Sequence, residues 1–465
     1  MPALALLWRA AFAVLALLAL GMSAHAQGQP NIVVIMTDDQ DVASLAYMPK
    51  TRALLADKGV TFANSFVQFP QCCPTRATWM SGQFAHNHGV MGNLAEWNGA
   101  YQAWKPQEEN SLPVWLQAAG YTTGFLGKVM NGFAQEAYHV PPGWSWFRGM
   151  KVLDYYNWSI YQASGQIGTF GQGAADYSTD NLAWRAANFV TAHSEPFLLY
   201  AWPFAPHVNG SGVSVPAPRH VGMFANEPMP HNPTFNTAHM TGKHPIVAEF
   251  PRMSVEKVAQ TEAHWRSYIE TLQAVDDMVE TVVMALEARG VLENTYVVFT
   301  SDNGILFGDW KKPGKALPYE RSVRVPLIVR GPGVPEGIVR DEIVTDADVA
   351  ATVVALSGAT PGRVLDGRSI VPLLSTAPAA WRSAVLMTGL FDTSDTSFTR
   401  WNAVRTRDRK YVLSSDGHEE LYDLEADLYE RFSVVADPFY ADDLTALRAL
   451  EARLKSCAGE SCWVD

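Results

Sequence analysis

After residue 22, this 465-residue chain has no apolar run long enough to cross a bilayer, no repeated segment and no stretch of low complexity. Those absences set aside polytopic membrane proteins, solenoids and disordered tails. A basic excess is missing too: the formal charge is −12, which argues against a protein that coats nucleic acid or an anionic membrane through a general positive surface. An anionic substrate remains open. Charges more than about 10 Å apart are largely screened, so a local group of Lys and Arg can govern what one cleft attracts. Cysteine is scarce, with four residues in two close pairs, Cys72 with Cys73 and Cys457 with Cys462.

What is present describes a globular protein: 48% of residues are apolar and 18% charged, in a chain long enough to bury a large core. Pro2 to Met22 is apolar around a single Arg9, and Ser23-Ala24-His25-Ala26 supplies a small-residue A-x-A pattern. This reads as a secretory signal peptide over residues 1–26, leaving an exported, periplasmic or secreted protein with no membrane attachment after cleavage. Export permits disulfides, and Cys457 and Cys462, which enclose a short loop with a Gly inside, are expected to form one that pins the tail.

Asn31 to Thr37, Pro196 to Trp202, Thr295 to Thr300 and Val323 to Val329 are continuous β-rich apolar runs, the pattern of strands buried on both faces of a parallel sheet. From His264 to Arg289 apolar residues recur at helical spacing up to Gly290, so a long helix feeds the third of these strands. The fold class expected is α/β. Pro203 to Pro251 has little periodicity and reads as a long, functional loop. Beyond Leu374 the character changes: Trp401 to Leu413 and Glu420 to Leu424 read as short strands around the turn Ser415-Asp416-Gly417, and Asp442 to Leu454 as a helix. The division expected is a catalytic domain over 27–374 and a small α+β subdomain over 375–465.

Candidate chemistry gathers at strand ends. Asp38-Asp39 follow the first run and Asp302-Asn303 the third, so both pairs project from the edge of an open sheet where ligands bind. Three carboxylates and an amide form a hard oxygen shell suited to Ca²⁺ or Mg²⁺. Cys72-Cys73-Pro74-Thr75-Arg76 reads as a helix start, with Pro at its first position and Gly82 as its stop. Position 72 then lies at a helix N-terminus, where free N–H groups and the dipole favour an anion, and Arg76 adds a forked positive charge. Lys128, His207 and Lys315 are single residues with no local pattern of their own.

Together these motifs resemble the type I, formylglycine-dependent sulfatases of the alkaline phosphatase superfamily. The resemblance covers almost the whole mature chain: Cys72-Cys73-Pro74-Thr75-Arg76, Gly127-Lys128, Pro141-Pro142-Gly143-Trp144, Pro206-His207, Ser301-Asp302-Asn303-Gly304, Gly314-Lys315 before Pro318-Tyr319-Glu320, and Asp366-Gly367-Arg368. It is nearest the glucosamine-6-sulfatase branch and its bacterial relatives. It implies a large mixed, mostly parallel sheet with helices on both faces, and a small C-terminal antiparallel sheet. It further implies that Cys72 is oxidised to formylglycine by a formylglycine-generating enzyme, and that Asp38, Asp39, Asp302 and Asn303, with position 72, hold Ca²⁺ or Mg²⁺. Arg76, Lys128 and Lys315 would then bind a sulfate ester, and His207 or Lys315 would protonate the leaving group. The substrate implied is a small anionic sulfate ester, such as a sulfated sugar or an aryl sulfate.

Four places depart from that pattern. Thr75 stands for the more usual Ser, and Met130 where many arylsulfatases have a His two residues after the Lys. Trp310 stands where relatives often carry His, and Leu428-Tyr429-Glu430-Arg431 replaces a commoner Pro-x-Glu-Leu run. The same superfamily includes phosphonate monoester and phosphodiester hydrolases with nearly identical sites, and a non-catalytic binder of sulfated glycans would keep the fold alone. Tyr155, Tyr156, Trp158 and Tyr161 are candidates for stacking on a sugar or aryl ring, or for packing.

Overall fold

The computed structural model describes residues 28–465 apart from 137, 163–164, 166, 378–379 and 392–398. The expected signal peptide over 1–26 lies outside the described residues. Sixteen strands form among the described residues: β1 Asn31–Thr37, β2 Val60–Phe66, β3 Thr122–Gly127, β4 Trp146–Val152, β5 Ser159–Tyr161, β6 Ile167–Thr169, β7 Phe197–Trp202, β8 Thr295–Ser301, β9 Leu306–Phe307, β10 Pro313–Gly314, β11 Leu327–Arg330, β12 Ile338–Thr345, β13 Ala384–Leu390, β14 Arg400–Thr406, β15 Arg409–Ser414 and β16 Glu419–Asp423. The six longest helices are α1 Cys72–Ser81, α2 Leu112–Ala118, α3 Ser178–Ala192, α4 Val255–Ala288, α5 Asp346–Ser357 and α6 Ala441–Leu454.

Ten strands make one mixed sheet in the order β12-β2-β11-β8-β1-β7-β3-β4-β5-β6. Its middle, β8 to β4, is parallel throughout, and β11 runs antiparallel between β2 and β8. Alternate residues of β1 serve two cores. Ile32, Val34 and Met36 pack with α1, α2 and α5, whereas Val33 and Ile35 pack with α3 and α4 on the other face. Helices therefore cover both sides, and a strand buried on both faces has no polar alternation to show.

Several boundaries differ from the sequence reading, each for a local reason. The long helix α4 starts at Val255 rather than near His264, because Ser254 caps it through a bond from Lys257 N to its hydroxyl (3.1 Å). The run from Val323 to Val329 is split: Glu320–Val323 is a helical turn and the strand begins only at Leu327. Helix α1 begins at Cys72, which puts Pro74 third instead of first, and Gly82 ends it in the left-handed conformation. Tyr155, Trp158 and Tyr161 are buried packing residues, and only Tyr156 of that group keeps partial exposure.

A second sheet, β13-β14-β15-β16, is antiparallel throughout. The expected run from Trp401 to Leu413 is two strands, because the chain turns between Thr406 and Arg409. This sheet meets the larger one at a buried charged seam. Lys410 Nζ bonds Glu320 (2.9 Å) and Glu430 (2.7 Å), and Arg405 Nε bonds the same oxygen of Glu320 (2.9 Å). Cys457 and Cys462 are joined as expected, and the tail they close is tied to the end of α1. Asp366 makes that tie: its carboxylate accepts from Phe84 N (2.7 Å) and Gly459 N (2.8 Å), while its own N–H donates to Gly82 O (2.9 Å). Among the described residues no helix is long and apolar enough to cross a membrane.

Candidate active site

The acidic side of the crevice is built where three neighbouring strands end. Asp38 N donates to Ala205 O (3.2 Å), just past β7, and Asp302 N donates to Thr37 O (3.0 Å), so the ladders continue one step beyond the strands. Asp39 then breaks the extended run with φ +66°. At the end of β3, Gly127 has φ +111°, and a Cβ there would lie 1.9 Å from Trp202 O. Only glycine permits that approach, which brings Lys128 N to 2.9 Å from the same carbonyl.

Helix α1 points its first residue at these carboxylates. Cys72 is a buried free cysteine whose Sγ lies 3.4 Å from Asp38 Oδ1, 3.4 Å from Lys128 Nζ and 2.9 Å from Lys315 Nζ. Lys128 also pairs with Asp38, and Lys315 with Asp39. Arg76, one turn along the helix and fully buried, donates from Nε (3.0 Å) and Nη2 (2.8 Å) to Asp302 Oδ2 and from Nη1 to Lys128 O (2.5 Å). Its guanidinium lies 5.3 Å from the centre of the Trp202 ring. Asn303 Nδ2 donates to Asp39 Oδ1 (2.6 Å), and its Oδ1 accepts from Lys315 (3.3 Å). His207 Nε2 lies 3.6 Å from Asp39 Oδ2, and its Nδ1–H donates to Val208 O (2.6 Å).

All nine residues singled out from the sequence thus meet in one crevice. Solvent reaches it on one side only: the side chains of His207 and Lys315 are 24% and 16% exposed, against 7% or less for Asp38, Asp39, Arg76, Lys128 and Asp302. The charges balance, three carboxylates against Arg76, Lys128 and Lys315. Burial works to raise Asp38, but Lys128, His207 and Arg76 outweigh it and hold the carboxyl at about 2. Asp39 is lowered in the same way, chiefly by Lys315 against burial. Cys72 moves in the opposite direction. Burial, seconded by Asp38, pushes its thiol well above the ordinary range, so at neutral pH position 72 carries a protonated thiol and no thiolate nucleophile.

Asp38, Asp39, Cys72 and His207 offer ligand atoms that all lie within 4.8 Å of one another. The two carboxylates of that set, with the neighbouring Asp302 and the Asn303 amide, supply the hard oxygen donors that fit a divalent cation. The geometry adds His207 to the donors expected from sequence, while Asp302 faces Arg76 and the Asp39 N–H (3.1 Å). Sequence reasoning missed Asn93, whose Oδ1 accepts from Cys73 N (2.9 Å), and Phe204, whose ring lies 5.8 Å from Lys128 Nζ. Phe204 lies three residues before His207, which was the available signal; Asn93 left none.

Residues 30–359 match the family model described as Sulfatase, and residues 308–457 the one described as N-sulphoglucosamine sulphohydrolase, C-terminal. An N-acetylglucosamine-6-sulfatase of Capra hircus is 36% identical over 387 residues, covering 79% of this chain and 68% of that protein. An arylsulfatase of Volvox carteri is 30% identical over 518 residues, 97% of this chain and 78% of that protein. The chain spans about half the length, 52%, of an extracellular sulfatase homologue of Caenorhabditis elegans, to which it is 34% identical over 380 residues. Among solved structures, a complex with D-glucosamine-2-N,6-O-disulfate as its substrate superposes with a TM-score of 0.79 at 24% identity, over 92% of this chain and 98% of that one. The phosphonate monoester hydrolase of Agrobacterium radiobacter gives 0.72 at 21% identity, over 92% and 96%.

Proposed function

The chain belongs to the sulfatase family, and from that premise we propose that it hydrolyses a sulfate monoester, with a 6-sulfated glucosamine unit or an aryl sulfate as substrate. The observation that carries this reading is the convergence of Lys128 Nζ, Lys315 Nζ and Asp38 on the side chain at position 72, at the N-terminus of a buried helix. In our reading Cys72 is oxidised to formylglycine by a modifying enzyme, and the raised thiol supports this: the pocket disfavours the thiolate that an unmodified cysteine would need. The hydrated aldehyde supplies a hydroxyl nucleophile with a second hydroxyl for release. Asp38, Asp39, Asp302 and Asn303, with position 72, are the residues we assign to a Ca²⁺ or Mg²⁺ ion, which supplies Lewis acidity at a sulfate oxygen.

The chain's own residues do the rest. Lys128 and Lys315 neutralise sulfate oxygens beside position 72, and Arg76 holds Asp302 and the Lys128 carbonyl in place while adding fixed positive charge. Because Nδ1–H of His207 is committed to a carbonyl, protonation of the ring places its second proton on Nε2, 3.6 Å from Asp39 Oδ2 in a partly exposed side chain. From there it can pass to the departing alkoxide. Family relatives named as extracellular, together with the apolar N-terminus, support export. The division at residue 375 is kept as our proposed boundary, since the antiparallel sheet lies beyond it.

The test is turnover of 4-nitrophenyl sulfate against 4-nitrophenyl phenylphosphonate, on protein whose peptide across residue 72 has been checked by mass spectrometry. Preference for the sulfate by formylglycine-bearing protein is the expected result. Preference for the phosphonate would move the assignment to the hydrolases represented by the Agrobacterium structure, whose likeness extends to the fold.

A further inference from the structure

Lys315 reaches the crevice from an unusually constrained piece of chain. It follows the β9–β10 hairpin, and between Gly308 and Ala316 five residues have positive φ: Gly308 (98°), Trp310 (55°), Lys311 (66°), Gly314 (125°) and Ala316 (75°). Three of these are not glycine, and Trp310 is a bulky residue in a conformation that its Cβ opposes. Such a segment keeps its shape only if its surroundings over-determine it. The anchors sit on both sides of Lys315. After it, Ala316 O accepts from Trp401 Nε1 (3.1 Å). Before it, Trp310 N donates to Thr234 O (3.0 Å) and Asp309 accepts from the Thr234 hydroxyl (2.7 Å), so the long loop between β7 and α4 frames the hairpin.

From that loop comes Lys243, with a side chain wholly removed from solvent. Its Nζ lies 3.7 Å from the centre of the Trp310 ring, 4.0 Å from that of Tyr319 and 4.2 Å from that of Tyr422. It donates to the Tyr422 hydroxyl (2.6 Å) and to Glu430 O. An ammonium inside three aromatic faces is held by their quadrupoles and in turn fixes where they stand. Trp310 is the member of that cage at which the strained hairpin is gripped, and also a position where this chain departs from the sulfatase pattern.

We propose that Lys243 is a positioning residue for the hydrolysis: by holding Trp310 it keeps the hairpin in the conformation that sets Lys315 Nζ against the side chain at position 72. The proposal rests on the role given to Lys315 above, and a double-mutant cycle separates the two. Lys243→Met keeps the length and removes the charge. In the otherwise native chain it should lower kcat about tenfold with a smaller change in KM, because misplacement of a catalytic group costs the reacting state most. In a Lys315→Ala background it should change kcat little, since the group it positions is gone. Amide hydrogen exchange at Trp310, Lys311 and Lys312, which donate within this frame, should quicken in Lys243→Met whatever the activity. Tyr422→Phe, which keeps the ring and loses one acceptor, should show the same pattern more weakly and covers the case in which Lys243→Met fails to fold. Equal kcat losses in both backgrounds, or unchanged exchange in the hairpin, would overturn the proposal while leaving Lys315 its role. Full activity of Lys315→Ala would overturn both.

Discussion

Two clusters in this molecule hold the same formal charges and behave as opposites. The crevice combines Asp38, Asp39 and Asp302 with Arg76, Lys128 and Lys315; the seam between the sheets combines Glu320, Glu420 and Glu430 with Lys243, Arg405 and Lys410. In the seam every cation ends on a carboxylate, a carbonyl or an aromatic ring, and Glu430 also accepts from Glu320 N (2.7 Å). Where two of its cations share an atom, Lys410 and Arg405 on Glu320 Oε1, that atom belongs to a charged partner. In the crevice two ammonium groups are shared with a side chain at a helix N-terminus, and one wall is partly open to solvent. Charge balance alone therefore does not distinguish the candidate site. What distinguishes it is that the donors converge on one atom that is not itself a charged partner.

The largest contrast should come from Cys72→Ala. Turnover of 4-nitrophenyl sulfate should fall by about 10⁴-fold or more, as for loss of a covalent nucleophile, with the thermal midpoint nearly unchanged; a fall of less than about tenfold would remove position 72 from the chemistry. Lys410, in the seam, should respond in stability instead. Lys410→Met takes one cation from Glu320, which keeps Arg405, and from Glu430, which keeps the Glu320 N–H, and should cost about 3 kcal/mol in a urea titration, with kcat at permissive temperature within a few-fold of normal. Asp39→Asn should lower turnover by about 10²-fold while changing the urea midpoint little, and chelation should mimic it until Ca²⁺ or Mg²⁺ is restored. If Asp39→Asn unfolds the protein while Lys410→Met silences it, the contrast between the clusters is reversed.

The smallest effect concerns pH. Burial pushes Lys243 down to about 8 from the usual 10.5, with Glu420 and Glu430 opposing. Between those values the unfolded chain binds a proton that the folded chain has released, so this residue's contribution to stability rises with pH across that window. The unfolding free energy of the native chain minus that of Lys243→Met should accordingly climb from pH 8 towards 10.5. A flat or falling difference would show that burial does not depress this lysine.

Much of the crevice was legible because its chemistry is local: Asp38-Asp39 and Asp302-Asn303 follow buried strands, and Cys72 to Arg76 occupy one helical turn. The sheet was legible in part: the runs read from sequence correspond to β1, β7, β8 and β11 at its middle, whereas β2, β3, β4 and β12 were not distinguished, nor was β13, and the short strands β5, β6, β9 and β10 carry no pattern of their own. Contacts between distant residues left no trace. Asn93 reaches Cys73 through a loop, and Lys243 finds Trp310 only once the long aperiodic segment is folded. The aromatic run from Tyr155 to Tyr161 is ambiguous in sequence because stacking on a ligand and packing in a core use the same residues, and only burial separates them.

Asp366 ties the end of α1 to the disulfide-closed tail. Every proposed site residue lies at or before Lys315, so a growing chain carries its full chemical complement well before the fastening segment is made. In the finished fold Cys72 is 1% exposed. The segment that fastens α1 is also the last part of the chain to be made, and the helix carrying position 72 gains its final restraint only from residues more than 280 positions further on.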